Sequence, residues 1–163
     1  MKQVSTMFLK VVVISMGIPV LGLCIYLLPK IADVAFSHVA AGDTLGYLIL
    51  TILIVMAITA IPFYLGLYQT VKLLSYIEKD QAFSQITVTA LTKIKNYAKL
   101  ISALYVVILP MVYFVAEWDD APGLILIDFV VIGASFALAV FASVLQRLLQ
   151  TAIDYKEEND LTV

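Results

Sequence analysis

The residue with the clearest potential for chemistry is Asp128, near the start of the apolar segment "GLILIDFVVIGASFALAVFASVLQR" that begins at Gly123. A charge inside lipid is costly, so such residues usually face other helices and often mark ion or proton paths. At helical spacing, one face carries Asp128, Ile132, Ser135, Ala139, Ser143 and Arg147. Small residues let helices approach closely in a membrane. We therefore expect Asp128, Ser135 and Ser143 to form a polar site that points toward neighbouring helices.

The sequence leaves three interpretations of Asp128 open. It is a ligand, ion or proton site; it makes a structural hydrogen bond, with a tyrosine hydroxyl of a neighbouring helix as the expected partner; or it is a shallow, solvated carboxylate. Asp128 lies five residues after Gly123, about 7 Å along a helix axis. This shallow depth favours the structural or solvated interpretation over a proton relay.

No other arrangement of residues indicates catalysis or cofactor binding. The motifs HExxH and GxSxG and a phosphate-binding loop are absent from the sequence. The single cysteine, Cys24, lies in an apolar run, where we expect a small buried hydrophobe. The single histidine, His38, has no cysteine or histidine near it and is expected to be a solvated loop residue. We predict a protein that is not an enzyme and binds neither cofactor nor metal.

Composition places the chain in a membrane. It has 163 residues, of which 63% are hydrophobic and 13% charged, whereas soluble domains are roughly 45–50% apolar and about 25% charged. Four segments are long and apolar enough to cross ~30 Å of hydrocarbon as helices, and we expect the first to be retained rather than cleaved. The predicted fold is a single all-α domain, a four-helix transmembrane bundle. Its spans are approximately 8–29, 45–71, 99–117 and 124–147.

The basic residues predict how the chain is oriented. Of the 10 Lys and Arg residues, all but Lys30 lie in the N-terminal segment, the middle loop or the C-terminal tail. By the positive-inside rule, these three regions are cytoplasmic and the protein lies in the plasma membrane with both termini inside. Residues 30–43 and 117–123 then face outward, and we expect 30–43 to form a short helix on the membrane surface.

The predicted cytoplasmic regions are also helical. Region 72–99 is predicted to be a helical hairpin in which Ser84 is the N-cap of the second helix. Apolar residues then recur at helical spacing through Ile101, so the third span begins as an amphipathic helix that projects from the bilayer or lies along it. The tail, 148–163, is predicted to be helical to about Glu157 and then polar.

Charged residues near the predicted cytoplasmic face form a candidate surface for lipid or for a partner. They are Lys72, Lys93, Lys95, Lys99, Arg147, Glu157, Glu158 and Asp160. Attraction to anionic lipid, worth about 1 kcal/mol per lysine, accounts for the basic members without a partner. Docking of an acidic partner is the alternative, and the neighbouring acidic residues argue against direct nucleic-acid binding.

Three spans contain a proline: Pro19, Pro62 and Pro110. Each removes a backbone hydrogen bond and is predicted to kink its helix. Ordinary proline in membrane helices is the favoured interpretation; a cavity between kinked helices is the alternative.

Two stretches, "KDQAFSQITVTALTKI" and "DYKEENDLTV", together with four short spans, resemble the bacterial family called domain of unknown function 2975. In that family a phenylalanine followed by serine or threonine, here Phe83 and Ser84, opens the helix before span three. Asp80-Gln81-Ala82 stands where family members usually have a glycine. The resemblance implies four spans and no catalytic residues, and family members are often encoded beside a very small helix-turn-helix regulator.

Three functions follow as hypotheses. The first is a membrane partner that modulates a small cytoplasmic helix-turn-helix regulator through 72–99 and 147–163. The second is a small transporter or an ion or proton pathway that uses Asp128. The third is an immunity or membrane-scaffold protein. The small-residue face of span four also allows packing between two chains, as a homo-oligomer.

Overall fold

The computed structural model describes residues 2–162, and helices account for all of this range except short turns and the final residue. Helix α1 covers Lys2–Gly22 and continues through a π-helical turn, Leu23–Leu27, into α2, Leu28–Ala40. The remaining helices are α3 (Thr44–Glu78), α4 (Gln85–Trp118) and α5 (Gly123–Leu161). The predicted all-α fold is confirmed.

Four helical segments are long and apolar enough to cross a membrane: Val4–Ala40, Thr44–Glu78, Gln85–Trp118 and Gly123–Leu161. They contain 34 to 39 residues, which is about 50–58 Å of helix at 1.5 Å per residue. Because the hydrocarbon layer is only ~30 Å thick, each helix extends well beyond it. The chain is therefore a multi-pass membrane protein whose helices continue into water.

The first spanning helix differs from expectation at its C-terminal end. Residues 30–40 do not form a separate helix, because α2 continues α1 through the π-helical turn. Pro29 lies at the start of α2, where its missing N–H is tolerated. No further proline or glycine occurs before Gly42, whose φ of +79° ends the helix. His38 is thus a residue of the last turn of α2 rather than of a loop.

Three helices end in the same backbone motif. The N–H groups of Asp43, Gln81 and Ala121 each donate to the carbonyl five residues earlier, at 2.8 to 2.9 Å. In each case the preceding residue is left-handed: Gly42, Asp80 and Asp120. This is the Schellman arrangement, in which glycine is commonest and aspartate is tolerated. Asp80 therefore ends α3 in the way that glycine does, without a glycine in the sequence.

The spanning helices pack in chain order. The α1–α2 segment packs on α3, α3 packs on α4, and the most extensive contact joins α4 to α5. Within the described residues, no comparable contact joins the first and last spanning helices. Large apolar side chains such as Phe8, Phe136 and Phe141 remain exposed on α1 and α5. These outer surfaces suit contact with lipid, which is as apolar as the side chains themselves.

Helices α2 and α3 approach each other closely at Gly46. A Cβ atom built there would lie 2.6 Å from the amide nitrogen of Val39 and 2.7 Å from the carbonyl oxygen of Ala35. Both are backbone atoms of α2, and Ala35 is fully buried. Only glycine lets α3 approach the backbone of α2 this closely.

Gly46→Ala is therefore expected to lower the free energy of unfolding in detergent by about 1–3 kcal/mol, the usual cost of overpacking. The measurement is thermal unfolding followed by circular dichroism. Gly133→Ala is the matched control, because a Cβ at Gly133 meets nothing within 4 Å. Equal stability of the two variants would contradict the close approach.

Candidate functional site

Asp128 is buried between helices, as its helical periodicity predicts. Its relative exposure is 4%, although it lies only five residues into α5. Neither carboxylate oxygen has a hydrogen-bond partner among the described residues. A buried charge usually needs a partner, because its loss of hydration is otherwise uncompensated. Asp128 is thus buried without a hydrogen-bond partner among the described residues, and the hydrogen bond to a tyrosine that the sequence predicted is not made in this structure.

The prediction that a tyrosine hydroxyl is the hydrogen-bond partner of Asp128 is wrong in this structure. The Tyr113 hydroxyl donates to Oε1 of Glu117 at 3.2 Å, and Tyr64 donates to the carbonyl of Gly17 at 2.8 Å. Tyr105 lies 3.4 Å from the hydroxyl of Thr59. These partners were not foreseeable from sequence, because they depend on the rotation of each helix about its axis.

The rest of the predicted polar face packs closely. The hydrogen bonds of the Ser135 hydroxyl are local, whereas the carbonyl of Ile132 accepts from the Ser102 hydroxyl of α4 at 3.5 Å. Ala139 and Ala142 are buried, and Ser135 and Ser143 are partly buried. The Ser135 hydroxyl donates to the carbonyl of Val131 at 2.6 Å, within its own helix. A hydroxyl satisfied in this way is a weak candidate for ligand binding.

Replacing Asp128 with an apolar residue tests whether the carboxyl is unpaired in the membrane. Asp128→Val is expected to raise the free energy of unfolding by about 1–3 kcal/mol, because a buried unsatisfied group is removed. Asp33→Val is the control, since Asp33 is exposed on a helix and a surface change shifts stability by within about 0.5 kcal/mol. Destabilisation by Asp128→Val would reveal a bound group, and thermal unfolding in detergent is the measurement.

At the turn that connects them, α2 and α3 are joined through Asp43. Its Oδ1 accepts from the N–H of Leu45 at 3.2 Å and so caps α3. Its Oδ2 lies 3.1 Å from Nδ1 of His38. The His38 side chain is still 37% exposed, and its pair with Asp43 is a contact that was not predicted. The signal in the sequence was an aspartate directly before a helix, a typical N-cap, with the histidine five residues earlier.

The opposite end contains a packed extension of the membrane helices. Six of the ten buried residues of α4 precede Lys99: Thr87, Val88, Ala90, Leu91, Ile94 and Ala98. Ile153, near the end of α5, is also buried. The side chains of Gln85 and Gln150 are hydrogen-bonded at 3.3 Å. The amphipathic start of α4 therefore packs against the end of α5 as a unit that we call the helical extension, residues 72–99 and 147–161.

Two local details of this extension differ from expectation. Ser84 is the N-cap residue of α4, as predicted, but its hydroxyl donates to the carbonyl of Gln81 at 2.6 Å and makes no side-chain cap. Thr87 donates to the same carbonyl at 2.9 Å. Both hydroxyl groups therefore stabilise the turn between α3 and α4 and do not cap the N-terminus of α4. At the C-terminus, α5 continues to Leu161, beyond the predicted end at Glu157.

Two members of the predicted charged surface, Lys95 and Lys72, interact with other side chains of the molecule. Lys95 donates to Oε1 of Gln146 at 2.9 Å, which ties α4 to α5. Lys72 lies over the ring of Tyr68, 5.0 Å from its centroid. The other predicted members of the surface are exposed: Lys93, Lys99, Arg147, Glu157, Glu158 and Asp160.

The prolines lie inside continuous helices: Pro19 in α1, Pro62 in α3 and Pro110 in α4. Pro62 is buried, whereas Pro19 and Pro110 are exposed. A cavity of about 630 Å³ is lined by residues of α3 and α4, including Leu48, Phe114 and Trp118, and none of the prolines lines it. Among the described residues, no group of three or more His, Cys, Asp or Glu side chains is arranged to hold a metal ion.

Comparison with known proteins agrees with the finding that the chain is a membrane protein. The family model described as protein of unknown function (DUF2975) matches residues 4–163. The chain is 50% identical to a Bacillus subtilis (strain 168) protein described as uncharacterized membrane protein YoaS, with 100% of both chains covered. No solved structure matches. With four helices able to span a membrane and a match over nearly its whole length, the chain belongs to the DUF2975 family.

Proposed function

We propose that this protein is a non-enzymatic membrane partner of a small cytoplasmic helix-turn-helix regulator. The helical extension is the surface that binds the regulator. The observation that carries the proposal is the packing of this extension, where most of the buried residues of α4 are found. Apolar burial is driven by water, so a core at this end suits a folded unit outside the lipid.

The charges of the extension suit a protein partner. Lys93 and Lys99 are exposed on α4, and Arg147 is exposed on α5. The end of α5 carries exposed acidic residues, including Glu157 and Asp160. A surface with separate basic and acidic parts can fix the orientation of a partner as well as attract it. The positive-inside distribution supports a cytoplasmic position for this surface.

The proposal is tested by co-purification. A tagged form of the chain is purified from the cells that naturally produce it, and the amount of regulator that co-purifies is measured. The family resemblance leads us to expect this regulator to be a short helix-turn-helix protein encoded beside the gene for the chain. Lys93→Glu combined with Lys99→Glu is expected to lower recovery at least about tenfold, because reversing two rim charges replaces attraction with repulsion. A chain ending after Tyr155 is expected to lose recovery while it retains the buried Ile153.

The control is Lys30→Glu, which reverses an exposed charge at the other end of the molecule. It is expected to leave recovery unchanged. Absence of the regulator from the wild-type preparation, or equal recovery with every variant, would overturn the proposal. Lys95 is left intact throughout, because its hydrogen bond to Gln146 joins two helices of the extension.

A second function, a small transporter or ion pathway, is favoured by one observation. The carboxylate of Asp128 is buried without a hydrogen-bond partner, and unpaired intramembrane carboxylates are suited to take up a proton or a cation. Against it stands the shallow position of Asp128 and the lack of a second acidic residue in the same span segment, 124–147.

In proteoliposomes, this second function predicts a flux of protons, Na⁺ or K⁺ that Asp128→Asn abolishes. Asparagine has nearly the same size but neither takes up a proton nor carries a charge at neutral pH. Asp119→Asn, in an exposed turn, should leave the flux unchanged. A wild-type protein that conducts none of these ions would exclude the pathway.

A further inference from the structure

An apolar groove runs between α1 and α3. Its cavity volume is about 430 Å³, and it extends from Ile14 to Leu21 on α1 and from Tyr64 to Val71 on α3. The volume falls within the ~300–1,000 Å³ that is usual for ligand sites. The groove lies on the opposite helix pair from Asp128, and it ends at Val71, directly before Lys72, the first residue of the helical extension.

Gly17 and Tyr64 form the floor of this groove. Gly17 is buried, and a Cβ atom there would lie 3.2 Å from Cδ1 of Leu67 and from Cε1 of Tyr64. The Tyr64 hydroxyl donates to the carbonyl of Gly17 at 2.8 Å. The phenol is therefore satisfied by backbone, and its ring presents an apolar wall. A hydrocarbon chain suits such a lining, whereas a polar ligand finds few partners in it.

One end of the groove carries a positive charge without an acidic partner. Lys72 directly follows Val71, and its Nζ lies 5.0 Å from the ring centroid of Tyr68, which lines the groove. Lys10, one helical turn before Ile14, is instead paired with Glu78 at 2.5 Å. Within the part of the chain that the structure describes, no carboxylate pairs with Lys72.

We propose that this groove binds one acyl chain of an anionic phospholipid and that Lys72 binds the lipid phosphate. The arrangement matches the two parts of such a lipid, with an apolar channel along the helices and an ammonium group at its mouth. Basic sites between spanning helices on the cytoplasmic side are typical of anionic headgroup binding. A second copy of the chain fits less well, because an apolar helix face laid over this end would bury Lys72 without a counter-charge.

The test is native mass spectrometry of the full chain, released from micelles that contain phosphatidylglycerol and phosphatidylcholine with identical acyl chains. The wild type is expected to retain phosphatidylglycerol preferentially. Lys72→Gln is expected to reduce this preference about fivefold, the effect of one lysine near an anionic lipid. Lys30→Gln is the matched control, since Lys30 also lies over a tyrosine, 4.4 Å from the ring centroid of Tyr26, but lines no part of the groove.

Two further variants separate the groove from its charge. Ile18→Trp, which fills the groove from an exposed position, should lower retention of both lipids and leave helicity unchanged by circular dichroism. Ile18→Cys in a Cys24→Ala background tests for a second copy, and crosslinking of two chains through position 18 in membranes would overturn the proposal. Equal loss of preference with Lys72→Gln and Lys30→Gln, or no loss with either, would also overturn it.

Discussion

Backbone hydrogen bonding in lipid is the constraint on which this structure depends. With no water in the hydrocarbon layer, each spanning segment must satisfy its own N–H and C=O groups, and a helix is the way for a single segment to do so. Helices α2, α3 and α4 each end where the sequence offers a residue that adopts the left-handed conformation. These residues are Gly42, Asp80 and Asp120. Each lets the N–H of the following residue donate a hydrogen bond to the carbonyl five residues earlier.

The helices associate for different reasons along their length. Within lipid there is little hydrophobic driving force between helices, so close contact depends on small residues such as Gly46 and Ala139. Beyond the lipid, water drives apolar residues together, and the start of α4 is the part of that helix with the most buried side chains. The same 34-residue helix thus packs for two different reasons, and its sequence changes accordingly from amphipathic at its start to mostly apolar beyond Lys99.

The sequence was sufficient for features that belong to one helix and insufficient for those that join two. Periodicity predicted the helix through residues 84–99 and the inward direction of Asp128. It did not predict that Asp128 lacks a partner, that Lys95 contacts Gln146 or that Asp43 contacts His38. Those facts require the relative rotation and depth of two helices, which no single helical pattern contains. The continuous α1–α2 helix was not predicted, because the apolar run ends at Pro29 and Lys30, although neither residue ends the helix.

The contrast between the two sides of α3 explains where the groove lies. On one side, α4 packs along α3 and then along α5 in extended contact. On the other side, α1 is joined to α3 by a few specific contacts, including the Lys10–Glu78 ion pair and the Tyr64–Gly17 hydrogen bond. Exposed side chains such as Ile14 and Ile18 leave α1 without a large apolar contact surface on α3. Because polar contacts hold α1 only at intervals, the space between them is apolar and open, and lipid is the component of a membrane that fills such space.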